Sequence, residues 1–458
     1  MTSAQNHQQL LNGNKVLFFF MVCLIFSLSA CSGTKKATKP KVVKPSKPKQ
    51  DKTVQKGSGT VDTIHWTEVD RTKEYNSTIE NLDLEKKDRY KVSLLFPFEI
   101  GSSDISDAMN NETKLGKMTN YYAGVRLALD KLESEGVNLD VDVLDAESGK
   151  FDEKLQACRD SDVIIGPRSK EHLSVVANFG KNNDIPVISP WRSSTKTTKD
   201  NSYFVQLKTS LRNHFAKIVE HAKSQYSDDQ IFLLGRERTK TDFSYMRYMQ
   251  QVAASINNDG NNKPLQEFYI NVDSLSNGEF AFDSIFIEGK TTVFLLPNHS
   301  FSADEDFVYN TARKMNGEKG LENVVLYGMP ILLESDKVKY DLHRGLNMRI
   351  CRSSYVDREN IQIKEFRQQY FDTYGGFPSD DAMEGYDMML FVGRSMYNYG
   401  KKFQYFLDTY ESSLLQTKFD IQKVFKDNSD DDFKNIQYFQ NDHLYILTFE
   451  NGKFEARQ

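Results

Sequence analysis

Two short loops carry the side chains best suited to holding an anion. The first, Gly166-Pro-Arg-Ser-Lys170, leads into a helix that Ser169 is placed to cap. A helix start offers free N–H groups and the positive end of the peptide dipole, which suits a carboxylate. The same serine could equally do nothing but cap. The second, Ser189-Pro-Trp-Arg-Ser-Ser-Thr195, sets Trp191 beside Arg192. Trp191 could stack on a ligand or fill the site itself. Arg192 and Arg168 could take a carboxylate or phosphate bidentately, or bridge acids across a cleft. A third loop, Gly235-Arg-Glu-Arg-Thr-Lys-Thr-Asp242, is highly charged where an amino-acid side chain would need apolar walls.

Catalytic signatures are weak. The chain has no G-x-S-x-G, P-loop, H-E-x-x-H or G-x-G-x-x-G motif. His214 and His221 stand two turns apart on one helix, too far for a shared metal. Asp427-Asn-Ser-Asp-Asp-Asp432 lacks the central Gly and distal Glu of a calcium loop. Cys158 and Cys351 fall on a helix and a strand of different runs, as buried thiols. The expectation is a binding protein, not an enzyme, with no cofactor and no metal.

Charge narrows the partners. Of 458 residues, the first 60 hold ten Lys, no Arg and one acid, so they carry +9 and the rest −14. An acidic body lacks the basic face that nucleic acid requires.

The N-terminus carries its own signal. Lys15 precedes the apolar run Val16–Phe26, which has the length and flanks of a secretory h-region. It ends in Leu28-Ser29-Ala30-Cys31, which resembles the lipobox at which lipoprotein signal peptidase cuts. Residues 1–30 are then a leader, and Cys31 the lipidation site and membrane anchor. Ser32 after the cysteine resembles an outer-membrane sorting signal more than an inner-membrane one. Residues 31–60 repeat Lys and Pro without apolar periodicity, the composition of an extended tether. Residues 61–88 have polar turn-helix character, expected as a short segment packed on the body.

Helices and strands alternate through the remainder. Tyr90–Phe96 is a buried strand stopped by Pro97, and Tyr122, Val125, Leu129 and Leu132 recur at helical spacing. Strands follow at 138–144, 162–166 and 185–188. A second run alternates from Thr209 to Cys351, two helices come at 363–374 and 381–399, and a Glu-Asn-Gly turn closes a final hairpin. Such alternation means βαβ units and parallel sheets covered on both faces.

This order resembles the type I periplasmic binding fold, in particular the branched-chain amino-acid binding proteins of ABC transporters. Three segments carry the likeness across roughly residues 89–455. They are Tyr122-Ala-Gly-Val-Arg-Leu-Ala-Leu, the strand ends Val163-Ile-Ile-Gly-Pro167 and Ile185-Pro-Val-Ile-Ser-Pro190, and the late pair around Phe366-Arg-Gln-Gln-Tyr and Ala382-Met-Glu-Gly-Tyr-Asp387. Composition and tether are similar to lipoproteins of the Bacteroidetes type. The resemblance implies a two-lobed α/β fold, each lobe a parallel sheet flanked by helices. Lobe 1 would take 89–200 and 356–410, and lobe 2 201–355 and 411–458. It implies a small amino-acid-like or anionic ligand between the lobes, held by Ser169, Ser193 and Thr195. Trp191 and Arg192 depart from the family's small residues there. A permease, a sensor or an envelope protein would be the partner. The same fold also serves an outer-membrane lipoprotein that activates a penicillin-binding protein, so an envelope scaffold or regulator is the alternative.

Overall fold

The computed structural model describes residues 84–98, 107–108, 110, 113–191, 200–237, 239–256, 264–410, 412–426 and 435–457. The leader, the tether with Cys31, most of the 61–88 segment, Arg192, Ser193, Thr195 and the 427–432 loop lie outside them.

In chain order the first half-lobe runs β1 (Tyr90–Phe96), α1 (Lys114–Ser134), β2 (Leu139–Asp145), α2 (Phe151–Ala157), β3 (Val163–Ile165), α3 (Lys170–Asn182), β4 (Val187–Ser189) and β5 (Phe204–Gln206). The second lobe follows with α4 (Leu211–Gln225), β6 (Ile231–Arg236), α5 (Lys240–Ile256), β7 (Gln266–Ile270), β8 (Thr291–Leu296), α6 (Phe301–Glu318), β9 (Asn323–Gly328) and β10 (Arg349–Arg352). The chain then returns through α7 (Ile361–Tyr374) and α8 (Asp380–Tyr399). Last come β11 (Ser412–Ser413), β12 (Lys418–Phe419), β13 (Ile421–Phe425), β14 (Ile436–Asn441), β15 (Tyr445–Glu450) and β16 (Lys453–Arg457).

Two seven-stranded sheets result, ordered β13-β14-β5-β4-β3-β1-β2 and β16-β15-β10-β9-β8-β6-β7. Both are parallel except at one edge, where β13 pairs antiparallel with β14, and β15 and β16 turn antiparallel. The inner strands read as near-continuous apolar runs, as parallel strands covered on both faces must. In β1 every residue but Lys91 is buried.

Two strand assignments differ from the sequence expectation. Three-residue β5 pairs with β4 in the first sheet, and β14 pairs with β5 through Phe439 and Val205. Residues 204–206 and 421–441 therefore build lobe 1, not lobe 2. Phe439 and Ile421 supply the apolar face that fills that core.

The helix pair α1–α8 packs beside the first sheet. Thr113 caps α1 by accepting from the Gly116 N–H. The two helices approach so closely that a Cβ on Gly124 would stand 1.8 Å from the Ala382 carbonyl oxygen, and one on Gly385 2.1 Å from that of Tyr121. Glycine on both sides brings Tyr121 and the start of α8 together. At the far end Arg394 clamps Glu135 with two hydrogen bonds of 2.6 and 2.8 Å. Of residues 61–88 the structure describes 84–88, where the Lys401 N–H donates to the Leu84 carbonyl and Lys87 pairs with buried Asp162 at 2.5 Å.

Candidate functional site

The carboxyl ends of β1, β3 and β4 meet at one place in lobe 1, the position where open α/β sheets bind ligands. Ser169 caps α3 there, accepting from the His172 N–H at 3.2 Å, so its hydroxyl already serves the helix. Trp191, just past β4, lies over the same strand ends. Its ring packs at 5.4 Å from Phe96 and 5.1 Å from Tyr121. Gly166 lies beneath: a Cβ there would come within 3.3 Å of the indole and 2.4 Å of the Leu95 carbonyl. Half-buried against this aromatic group, the indole occupies the strand ends as packing. Arg168 is exposed in the loop, within electrostatic reach of Asp381 at the start of α8.

In lobe 2 two residues of the charged loop, Arg236 and Asp242, turn inward. Asp242, fully buried, accepts from the Arg236 backbone N–H at 2.7 Å and from its guanidinium at 3.1 and 3.2 Å. Asp304 pairs with the same guanidinium at 2.6 Å, and Ala303 takes a further N–H at 2.9 Å. Asn298 also donates to Asp242. Burial alone would raise the Asp242 carboxyl, but these donors hold it below its ordinary value. Arg236 is thus committed within the lobe rather than offered to a ligand.

The lobes join through three crossovers, at residues 207–210, 353–360 and 442–444. Tyr121, Lys208, Ser354, Glu384, Gln416 and Asn441 border a cavity of about 30 Å³ there. That holds a few waters; small-molecule sites run to roughly 300–1,000 Å³. Behind it lies Asp387, wholly buried, accepting backbone N–H bonds at 2.9 Å from Leu415, Gln416 and Thr417. The Gln416 carbonyl in turn takes the Tyr355 N–H of the central crossover. Burial pushes the Asp387 carboxyl up to about 7, against the pull of those donors. Arg352 spans the lobes, 3.4 Å from Glu334 and 3.5 Å from Asp380.

The two histidines serve separate neighbours. His214 contacts the Ser210 carbonyl and His221 the Tyr327 hydroxyl, both with pKa lowered to about 4, chiefly by burial. Cys158 and Cys351 are free, buried thiols in different lobes. Among the described residues no group of three His, Cys, Asp or Glu side chains is placed to hold a metal ion. Tyr121, Lys208, Glu384 and Asp387 were not singled out by sequence as site residues. Three of them fall in or beside segments quoted for the family resemblance, but nothing local marks them as hinge residues.

No family model matches the sequence, and no curated protein matches it. Solved structures do. A substrate-binding protein of an ABC transporter from Desulfitobacterium hafniense, in complex with Leu, aligns at TM-score 0.51 and 13% identity, covering 81% of this chain and 100% of that one. A branched-chain amino-acid ABC transporter periplasmic ligand-binding protein from Burkholderia xenovorans aligns at 0.51 and 11%, covering 81% and 94%. Full-length LpoA from Haemophilus influenzae aligns at 0.54 and 12%, covering 83% of this chain and 61% of that one. At such identities the likeness is one of fold. The chain has the two-lobed type I periplasmic-binding-protein fold, an architecture common to amino-acid carriers and to LpoA.

Proposed function

We propose that this chain is a lipid-anchored cell-envelope protein that uses the fold as a docking body for a protein partner, not as an amino-acid carrier. The observation that carries this reading is Trp191, packed on Phe96 and Tyr121 where a ligand would rest. The internally paired Arg236 loop and the small hinge cavity point the same way. On this reading the protein acts by binding.

Trp191→Ala tests it. Native mass spectrometry and calorimetric titration against the common amino acids are expected to find none bound by the parent protein. The variant, with the indole volume released, is expected to gain binding of one of them. An amino acid retained by the parent and lost from Trp191→Ala would sink the docking reading and restore the carrier reading.

Anchoring follows from Leu28-Ser29-Ala30-Cys31, and the outer membrane from Ser32. Cys31→Ser is expected to abolish palmitate incorporation and leave the leader uncleaved or the protein released. Label that survives the substitution would exclude Cys31 as the lipidation site.

A further inference from the structure

Tyr121 is 1% exposed, and its hydroxyl has no hydrogen-bond partner. An unsatisfied buried hydroxyl is costly, and Tyr121 is one of the residues that line the hinge cavity. The charges that act most on it are acidic. Burial first, then the carboxyls of Glu384, Asp387 and Asp381, holds the Tyr121 phenol well above its ordinary value. Asp381 is itself raised to about 6 by burial and by Glu384, against the opposing charges of Lys117 and Arg168. Nearby acids have partners: Asp380 meets Arg352, and Glu135 meets Arg394. Glu384 has no ion-pair partner among the described residues, though it lines the cavity. Lys208, the cation that also lines the cavity, is exposed. Ser353 and Ser354 add hydroxyls.

We propose that this hinge cavity is a socket for a primary ammonium group, carried by a small free amine or by a lysine side chain, with Glu384 as its counter-charge and the Tyr121 oxygen as acceptor. An ammonium head is water-sized, which a cavity of about 30 Å³ admits. It donates three hydrogen bonds, so it satisfies the orphan hydroxyl and neutralises Glu384 together. Because the crossovers of both lobes form the wall, an occupant would also bias the lobe arrangement. The socket adjoins the strand ends under Trp191, sharing Tyr121 and Pro190 with them.

Thermal melting of the full-length protein tests the socket. Methylammonium chloride at about 100 mM is expected to raise the Tm by about 2–4 °C more than tetramethylammonium chloride, which cannot donate a hydrogen bond. Glu384→Gln and Tyr121→Phe are each expected to remove that difference, and Lys208→Met to enlarge it. Equal shifts in the two salts, or a methylammonium effect that survives Glu384→Gln, would overturn the proposal. A parallel arm compares N-acetyl-lysine amide with N-acetyl-norleucine amide. A lysine effect exceeding that of methylammonium supports the socket and assigns it to a protein side chain. The reverse order supports it and assigns it to a free amine.

Discussion

Replacing Asp242 by alanine is expected to destabilise the protein by about 3–5 kcal/mol, the cost of removing one partner of a buried ion pair. Asp242 is wholly buried and receives the backbone N–H, Nε and Nη2 of Arg236. Without it, a guanidinium with only 16% of its side chain exposed keeps only Asp304 and the Ala303 carbonyl, and the Arg236 N–H loses its acceptor. The double variant Arg236→Leu, Asp242→Ala should lose less than the single one, because the uncompensated charge goes too. Urea denaturation with both variants decides the matter. A loss under about 1 kcal/mol for Asp242→Ala would mean that the loop is solvated and the pair contributes as a surface pair does.

The second large effect concerns Asp387 and has a pH signature. Its folded pKa is raised to about 7 from an ordinary value near 4. Between those values the folded protein keeps a proton that the unfolded chain has released. Stability from this group is therefore complete below about pH 4, declines as pH rises and levels off above about 7. The difference is on the order of 4 kcal/mol for a shift of this size. Asp387→Asn, which cannot ionise, is expected to flatten the decline between pH 4 and 7. Asp387→Ala leaves three backbone N–H groups without an acceptor and is expected to cost about 3 kcal/mol or more at any pH. Denaturant midpoints measured from pH 4 to 8 provide the check. Parallel curves for wild type and Asp387→Asn would show that the carboxyl is ionised throughout and held by its three donors.

Much of the fold was legible in the sequence because burial on both faces writes itself as uninterrupted apolar runs. Val92 to Phe96 and Val293 to Leu296 needed no partner to be recognised as strands. The α1 repeat at Val125, Leu129 and Leu132 was equally local. What escaped depended on distant partners. Phe204-Val-Gln is too short to show a period, and whether β14 joins the first or second sheet depends on Phe439 finding Val205. The site divides the same way. Ser169 as a cap is a matter of neighbouring residues, whereas Trp191 was readable only as either stacking on a ligand or filling its place. The loop from Gly235 to Asp242 was legible as charged. That its arginine is neutralised within the lobe depends on Asp304, which arrives on another helix. Ser193 and Thr195 remain expectations from the family resemblance, and Arg192 one from its own charge.

The three crossovers also govern how the molecule must assemble. Each lobe is sewn from segments on both sides of the other, and joining Phe439 to Val205 closes a span of more than two hundred residues. Contacts so remote in sequence make folding slow, and an unfinished sheet exposes its edge in the interval. As the chain emerges, β5 waits with one flank open until β14 appears, while all of lobe 2 but its last two strands is made in between. A nascent copy therefore passes through an aggregation-prone stage that no truncation before Asn441 can shorten, and a holding chaperone that shields the open flank of β5 would raise the yield of folded protein.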